Sequence, residues 1–366
     1  MVIRMNILYL SLGREYGGTE KVVENLINYS NDNISVCCLN GTRFSRVLKE
    51  KFSNINIIEL SNKNIINNIF KLRRVLKKNN IDIVHIHSIF SNLIFQISNI
   101  GLNKKSLITV HSRSDFDRKK GVKSNIMNGL EIVLLKRNNR IVTVSESIKE
   151  YLRKKGINKE ISVIYNGVNK IKSKKSLSLK KKFKDNYFKE KDLLIFFIGR
   201  LTEVKGVFNL LEICEKIKNE NIKFLVIGEG ELEEYIKNKI KEKKLNNIKL
   251  LGFKSDIENY LPYADLLIVP SNMEGIPLCI LEAMSCGVPS IASKVGGIPE
   301  IIDNNGVLYD NKDLKSLFHI LDELEKNRKE INKMEFECYQ QFNEKWSIDI
   351  FNKNYKNLYE NILKAD

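Results

Sequence analysis

Short, continuously apolar runs recur along this chain and alternate with segments of helical periodicity. Helical patterns such as those across residues 18–29, 64–79 and 146–155 separate a first series of runs: NILYL, ISVCCL, INIIEL, IDIVHI, SLITV, RIVTV and ISVIY. A run that is apolar at nearly every position is covered on both faces, which is typical of a parallel sheet flanked by helices. The first half of the chain is therefore predicted to be an open α/β domain.

The pattern restarts after a Lys/Ser-rich stretch, KIKSKKSLSLKKKFK, at residues 170–184. The second series comprises LLIFFIG, KFLVIG, IKLLG, DLLIVP and PSIAS, again with helical patterns between its members. The predicted division is a first domain over residues 1–170, a second over 171–345 and a terminal helix within 346–366. Two such sheets are expected to place their ligand-binding carboxyl ends across a common cleft.

Composition argues against a membrane-spanning, a secreted or a zinc-binding protein. No run approaches the roughly 18 to 20 apolar residues that span a bilayer. At the N-terminus Arg14 and Glu15 interrupt the apolar patch and no small-residue cleavage site follows. The six cysteines lack CxxC or zinc-type spacing, as expected in a reduced compartment. A cytoplasmic location is predicted.

Charge is distributed unevenly along the chain, whose formal net charge is +17. Residues 1–170 hold 29 Lys and Arg against 13 Asp and Glu, whereas residues 191–366 hold 24 against 29. Such asymmetry indicates an anionic partner, either nucleic acid or a membrane surface, or simply lysine-rich solvated faces. No nucleic-acid-binding signature accompanies the charge, so no nucleic-acid partner is predicted.

The stretch FFIGRLTEVKG places two cations at the carboxyl end of a predicted strand. Arg200 and Lys205 follow that strand on a loop that opens a helix. The planar guanidinium of an arginine and the ammonium of a lysine can both bind a diphosphate and can neutralise the charge of a leaving nucleoside diphosphate. The alternative is a solvated basic loop.

The stretch MEGIPLCILEAMSCGVPS contains two glutamates on either side of a predicted helix start. Glu274 precedes the helix, Pro277 suits its first residue, Glu282 lies inside it and Gly287 ends it. Backbone N–H groups beside Gly275 can approach an anion. Because the helix start separates the two carboxylates, they are poorly placed to act on one scissile bond as a glycosidase acid/base pair. Each carboxylate could instead accept hydrogen bonds from one of the two vicinal diols of a nucleotide sugar. The alternative is that one glutamate faces solvent and the other caps a turn.

Two patterns could suggest a metal ion. His85 and His87 share one face of a strand, yet no carboxylate or thiol cluster completes that set. Asp115 and Asp117 match an Asp-x-Asp pattern that can bind Mn²⁺ or Mg²⁺, but neighbouring Arg and Lys side chains would compete for both carboxylates. No metal and no other cofactor is predicted.

In combination these motifs resemble the retaining family 4 glycosyltransferases of the GT-B fold. The resemblance rests on GRLTEVKG, VIGEGEL, LGF, the Glu-seven residues-Glu element of Glu274 and Glu282, and SCGVPSIASKVGGIPEII. It continues upstream through GGTEKVVENL, IDIVHIHS, ITVHS, VTVSESIKE and IYNGV. It implies two Rossmann-like domains facing across a cleft, a terminal helix that packs back on the first domain, and a metal-independent architecture.

The resemblance also implies residue roles. Arg200 and Lys205 would hold the diphosphate, Glu282 the ribose hydroxyls and Glu274 the donor sugar, whereas the Gly252–Phe253 pair lies where family members contact the nucleobase. The implied donor-binding positions in the second domain are Arg200, Lys205, Gly252, Phe253, Glu274, Gly275, Ile276, Pro277, Leu278 and Glu282.

In the first domain the resemblance marks three positions. Gly17 and Gly18 match a loop that approaches the donor phosphates and the acceptor, and His111 matches a histidine near the transferring sugar. The implied catalytic set is Glu274, His111, Arg200 and Lys205. No residue is an evident nucleophile, and the resemblance implies a front-face substitution with retention, in which the leaving β-phosphate helps deprotonate the incoming hydroxyl.

The resemblance implies a UDP-hexose or UDP-N-acetylhexosamine as donor, with GDP-mannose next, and a glycan or a polyprenyl-linked lipid of a surface polysaccharide pathway as acceptor. Basic segments at residues 71–80 and from Arg113 to Arg140 could dock the enzyme peripherally on an anionic membrane. A nucleotide-sugar epimerase or hydrolase of the same fold is the alternative activity, and a basic nucleic-acid-binding protein is the alternative from another class.

Overall fold

The computed structural model describes residues 4–28, 30, 32–113, 122–172 and 176–364, and of these it leaves out the side chains of 122–128 and 177. The Asp-x-Asp pattern at residues 115–117 lies outside the described residues. The chain forms two compact units. The first unit runs to Gly167 and also includes the residues from Ile348 onwards, and the second unit is Val168–Ser347.

In the described part of the first unit, seven parallel strands form a sheet in the order β3-β2-β1-β4-β5-β6-β7. The strands are β1 Asn6–Ser11, β2 Asn33–Leu39, β3 Asn56–Leu60, β4 Ile83–His87, β5 Lys105–Val110, β6 Arg140–Thr143 and β7 Ile161–Val163. The helices are α1 Gly18–Asn28, α2 Arg43–Lys51, α3 Ile65–Lys78, α4 Ile89–Ser98, α5 Val122–Lys136 and α6 Glu146–Lys154. The central strands β1 and β4 are almost entirely buried, as their continuous apolar runs predict.

In the described part of the second unit, six parallel strands form a sheet in the order β10-β9-β8-β11-β12-β13. The strands are β8 Leu193–Ile198, β9 Ile222–Ile227, β10 Ile248–Gly252, β11 Leu266–Val269, β12 Ser290–Ser293 and β13 Gly306–Tyr309. The helices are α7 Leu177–Asp185, α8 Val207–Lys216, α9 Glu233–Glu242, α10 Leu278–Ser285, α11 Leu314–Lys326 and α12 Arg328–Gln341. Three short 3₁₀ segments (Ile257–Asn259, Leu261–Tyr263, Ile298–Glu300) and a π-helical turn (Phe342–Trp346) complete this part.

The terminal helix α13, Ile348–Lys364, packs on the sheet of the first unit. The Tyr355 hydroxyl lies 2.9 Å from Oγ1 of Thr109, and the Tyr359 hydroxyl lies 2.7 Å from Nδ1 of His85. Lys105 on β5 donates to the carbonyl of Ile362 at 3.1 Å. Both the two parallel-sheet domains and the returning terminal helix are therefore confirmed.

Within the described ranges, no helix combines the length and the apolar character needed to cross a membrane.

Candidate active site

The second sheet has a topological switch point between β8 and β11. These strands are neighbours, with Leu266 paired to Ile195. The chain after β8 continues to β9 on one side, whereas the chain after β11 continues to β12 on the other. Loops that leave in opposite directions open a crevice at the carboxyl edge of an open α/β sheet, where such folds bind ligands. Arg200 and Lys205 lie on the first of these loops and Glu274 lies on the second.

Lys205 and Glu274 meet across this switch point. The Lys205 Nζ lies 2.7 Å from Oε1 and 2.9 Å from Oε2 of Glu274, and the Ser271 hydroxyl donates to Oε1 at 2.8 Å. The Glu274 side chain is 8% exposed and that of Lys205 27%. Burial alone would lower the pKa of Lys205, but the Glu274 carboxylate outweighs burial and raises that pKa above its usual value. The contact therefore holds the Lys205 ammonium against the Glu274 side chain in one fixed arrangement.

Two glycines with left-handed backbone bring the loops this close. At Gly206 (φ +74°) an added Cβ would lie 1.7 Å from the Pro270 carbonyl oxygen, and at Gly296 (φ +54°) it would lie 1.8 Å from that of Glu274. The N–H of Gly297 donates to the same Glu274 carbonyl at 3.2 Å. The segment that carries Glu274 is thus in contact with the chain after β8 on one side and after β12 on the other, and only glycine permits this approach.

Polar residues at or just after the carboxyl ends of neighbouring strands hold the same segment. The Ser293 hydroxyl and the Asn311 amide both donate to the Ser271 carbonyl, at 2.6 Å and 2.8 Å. The N–H of Asn272 donates to the Val204 carbonyl at 2.8 Å. Sequence reasoning missed Ser271, Ser293 and Asn311; the available signal was a small polar residue at the carboxyl end of successive parallel strands, which all meet at one edge of the sheet.

Helix α10 begins beside this pair. Its predicted start at Pro277 is wrong by one residue, because Pro277 is the extended N-cap (φ −70°, ψ 121°) and the first helical residue is Leu278. The side chain of the N-cap residue Pro277 makes no capping hydrogen bond, so the N–H groups of the first turn can bind a ligand oxygen. Gly275 and Ile276 are buried, and Glu282 lies half-buried one turn into the helix. The first turn of the helix therefore separates the two glutamates.

The remaining second-unit positions lie on the same carboxyl edge. Arg200 is exposed two residues after β8. Gly252 ends β10 with φ +69°, its carbonyl accepts from the N–H of Gly228 at 3.0 Å, and the ring of Phe253 beside it is exposed. The structure joins Lys205 to Glu274 directly and places the Gly252–Phe253 pair at the sheet's far edge strand.

The first unit has its own switch point, between β1 and β4. Gly17 immediately precedes α1 and Gly18 is its first residue. The buried Glu20 carboxylate accepts from the N–H of Gly17 at 3.0 Å and from the hydroxyl of Ser11 at 3.3 Å. An added Cβ at Gly13 would lie 2.4 Å from Oε1 of the same carboxylate. Glu20, which sequence reasoning did not single out, thus holds the glycine loop in place.

His111 lies at the carboxyl end of β5, where its Nε2 is 3.0 Å from Nδ1 of His87. Burial lowers the pKa of His111 to about 4 and lowers the pKa of His85 and His87 well below the usual value, so all three rings are neutral near pH 7. His85 bonds Tyr359 and Thr109, which assigns it a role in holding the terminal helix. In the described part of the chain, no group of three or more His, Cys, Asp or Glu side chains could hold a metal ion.

Comparison with known proteins identifies the family. The family model "Glycosyltransferase Family 4" matches residues 16–170, and "Glycosyl transferases group 1" matches residues 179–341. The UDP-Gal:alpha-D-GlcNAc-diphosphoundecaprenol alpha-1,3-galactosyltransferase of Escherichia coli is 31% identical over 268 residues, which cover 69% of this chain and 68% of that protein. An uncharacterized glycosyltransferase of Methanocaldococcus jannaschii is 28% identical over 302 residues, or 81% and 80% of the two chains.

The fold comparison agrees with the sequence comparison. The crystal structure of Anabaena HepE in complex with UDP-glucose superposes with a TM-score of 0.88 at 19% identity, covering 98% of this chain and 100% of that one. This likeness shows that the two parallel-sheet units have the GT-B fold. The chain belongs to the glycosyltransferase family that the two models describe, and the predicted family is confirmed.

Proposed function

We propose that this glycosyltransferase moves a sugar from a nucleoside diphosphate sugar to an acceptor hydroxyl, with retention at the anomeric carbon and without a metal ion. The observation that carries the proposal is the buried contact between Lys205 and Glu274 at the switch point of the second sheet. It combines a cation for phosphate with a carboxylate for hydroxyl groups, and both are already held in place before any ligand arrives.

Each part of a nucleotide sugar has a proposed partner in this unit. Lys205, Arg200 and the uncapped start of α10 would receive the diphosphate and stabilise its charge as it leaves. Glu274, held by Lys205 and Ser271, would accept hydrogen bonds from the sugar hydroxyls, and Glu282 would accept them from the ribose diol. Gly252 and Phe253 would contact the base. In the front-face course the leaving β-phosphate takes the acceptor proton, so Glu274 acts as an orienting residue.

The donor favoured is a UDP-hexose or UDP-N-acetylhexosamine, with GDP-mannose next. Support comes from the printed names of similar proteins, which include a galactosyltransferase that uses UDP-Gal and a structure bound to UDP-glucose. A thermal-shift panel of UDP, GDP and their sugars tests this choice, because a ligand at about 100 times its Kd stabilises the native state by about 2.7 kcal/mol. Equal shifts for every nucleotide, or none, would contradict the proposed donor.

The reaction itself is tested with a donor labelled at the anomeric carbon. Transfer with retention predicts an α-linked product from an α-linked donor. Free labelled sugar would indicate a hydrolase, and an isomeric nucleotide sugar would indicate an epimerase. Activity after treatment with EDTA is expected to equal that of the untreated enzyme, because Arg200 and Lys205 supply the positive charge; loss of activity that Mn²⁺ restores would contradict metal independence.

The acceptor is proposed to be a glycan or a polyprenyl-linked lipid, reached at the inner membrane face. The E. coli relative's name includes a diphosphoundecaprenol acceptor. In this chain α3 exposes Ile66 and Phe70, and Arg74, Lys77 and Lys78 continue along the helix as exposed cations. An amphipathic helix of this kind can bury its apolar side chains at the headgroup boundary while each cation adds about 1 kcal/mol on an anionic surface.

Vesicle flotation tests the membrane proposal. We expect binding to anionic vesicles at low salt, weaker binding at high salt, and clear loss in an Ile66→Ser/Phe70→Ser variant. Phe336→Ser is the matched control, because Phe336 is a comparably exposed aromatic residue of the second unit. An unmodified enzyme that does not float with anionic vesicles even at low salt would refute the proposal, as would equal loss in the control.

A further inference from the structure

His87 is a buried histidine that contacts the candidate site residue of the first unit. It ends β4, is fully buried, and packs its ring against that of His111 with centroids 5.3 Å apart and planes 24° apart. Its Nδ1 lies 3.0 Å from Nε2 of His111, whereas its own Nε2 is buried and has no hydrogen-bond partner among the described residues. Burial lowers the pKa of both rings, so neither carries a proton charge near pH 7.

Two neutral imidazoles can share this hydrogen bond in only two ways. If Nδ1–H of His87 donates, the buried Nε2 of His87 keeps a bare lone pair and His111 is protonated at Nδ1. If Nε2–H of His111 donates, the buried Nε2–H of His87 has no acceptor. An unpaired buried donor and an unpaired buried acceptor each cost about 1–3 kcal/mol, but among backbone groups a buried N–H without an acceptor is rarer than an under-satisfied acceptor. The first arrangement is therefore the favoured one.

We propose that His87 is a positioning residue that holds His111 in the tautomer protonated at Nδ1. The hydrogen bond at one ring nitrogen sets the proton on the other, so His111 presents an N–H donor to a ligand oxygen at the carboxyl edge of the first sheet. This inference rests on the proposed function, which supplies the ligand.

The surroundings of His87 keep its ring in one orientation. The His85 ring lies 4.1 Å away, centroid to centroid, and is itself bonded to Tyr359 at 2.7 Å and Thr109 at 2.8 Å. The strand pairing places His87 opposite Thr109, two residues before His111. The helix that returns to the first unit therefore supports His85, and His85 packs against the ring that bonds His111.

Nitrogen NMR of the full chain labelled with ¹⁵N-histidine tests the tautomer without any substrate. We expect His111 to be protonated at Nδ1 and bare at Nε2 in the unmodified protein. His87→Asn retains an N–H donor near the position of Nδ1 and should preserve that state, whereas His87→Leu should allow both tautomers. Protonation of His111 at Nε2 in the unmodified protein would overturn the inference.

Kinetics then separate positioning from a structural role. His87→Leu should lower kcat/KM about tenfold, the value of one lost hydrogen bond, and His87→Asn should restore most of it. His85→Asn is the comparison variant, because it removes the ring that packs against His87 but leaves the His87–His111 hydrogen bond in place, and its loss should be smaller than that of His87→Leu. Equal losses in the Asn and Leu variants, with both folded, would overturn the inference. Failure of the proposed function would show separately, as loss of the nucleotide-induced thermal shift in the unmodified enzyme.

Discussion

Gly206→Ala is expected to disrupt the candidate active-site crevice of the second unit and to destabilise that unit strongly. Gly206 precedes α8 with φ +74°, and an alanine Cβ would lie 1.7 Å from the Pro270 carbonyl oxygen. Such contacts do not occur below about 3 Å, so the loop that carries Lys205 would have to move away from the segment that carries Glu274 by more than about 1 Å.

Comparison with a second glycine separates the backbone strain of this substitution from its steric overlap. Gly252 has nearly the same backbone (φ +69°), but an added Cβ there meets nothing within 4 Å. Gly252→Ala should therefore show the left-handed strain of about 1–2 kcal/mol, reduced by about 0.4–1 kcal/mol because alanine stiffens the unfolded chain. Gly206→Ala adds an overpacking cost of about 1–3 kcal/mol, for a total loss of about 1–5 kcal/mol.

The chain contains a convenient probe for this measurement. Its single tryptophan, Trp346, is buried in the second unit. Urea unfolding followed by tryptophan fluorescence therefore reports on the unit that contains both glycines. Gly206→Ala should unfold at clearly lower urea than Gly252→Ala and should also lose transferase activity as the Lys205–Glu274 contact opens. Equal stability of the two variants would refute the close approach of the two loops.

Two further substitutions test the charges of the second unit. Arg200→Ala should lower kcat/KM at least about 100-fold and change stability by less than about 0.5 kcal/mol, since Arg200 is exposed; a near-normal rate would contradict its assigned role. Asp265→Asn should lower the free energy of unfolding by about 2–3 kcal/mol. Lys180 and Lys184 each lie 2.7 Å from the Asp265 carboxylate and would lose their anion, although the partial exposure of Lys180 reduces this cost. Burial alone would raise the pKa of Asp265, but the two lysines outweigh it and lower that pKa below 3.8, so this stabilisation should be present at pH 7 and lost as the pH falls through that lowered pKa. Unfolding curves at pH 7 and pH 3 check this, and a difference between the proteins that persists unchanged at acid pH would contradict it.

The fold could be predicted because its determinants are local and repeated. Each central strand is buried on both faces and therefore appears in the sequence as an unbroken apolar run, such as LLIFFI of β8. The start of α10 was predicted one residue early, because proline is suited both to the first turn and to the residue before it. Strand order could not be predicted in this way, because the pairing of β8 with β11 joins segments about 70 residues apart and no local pattern encodes it.

The candidate site also combines features that the sequence predicts with features that it does not. Lys205 and Glu274 could each be singled out from the sequence, because a cation or carboxylate after an apolar strand lies at the carboxyl edge of a parallel sheet. Their direct contact could not, because it depends on strand order and on two glycine backbones whose effect appears only when the loops meet. The His87–His111 contact follows the same logic, since it requires β4 and β5 to be neighbours in one particular register. Sequence therefore identifies residues by their chemistry, whereas strand order and register decide which of them act as a pair.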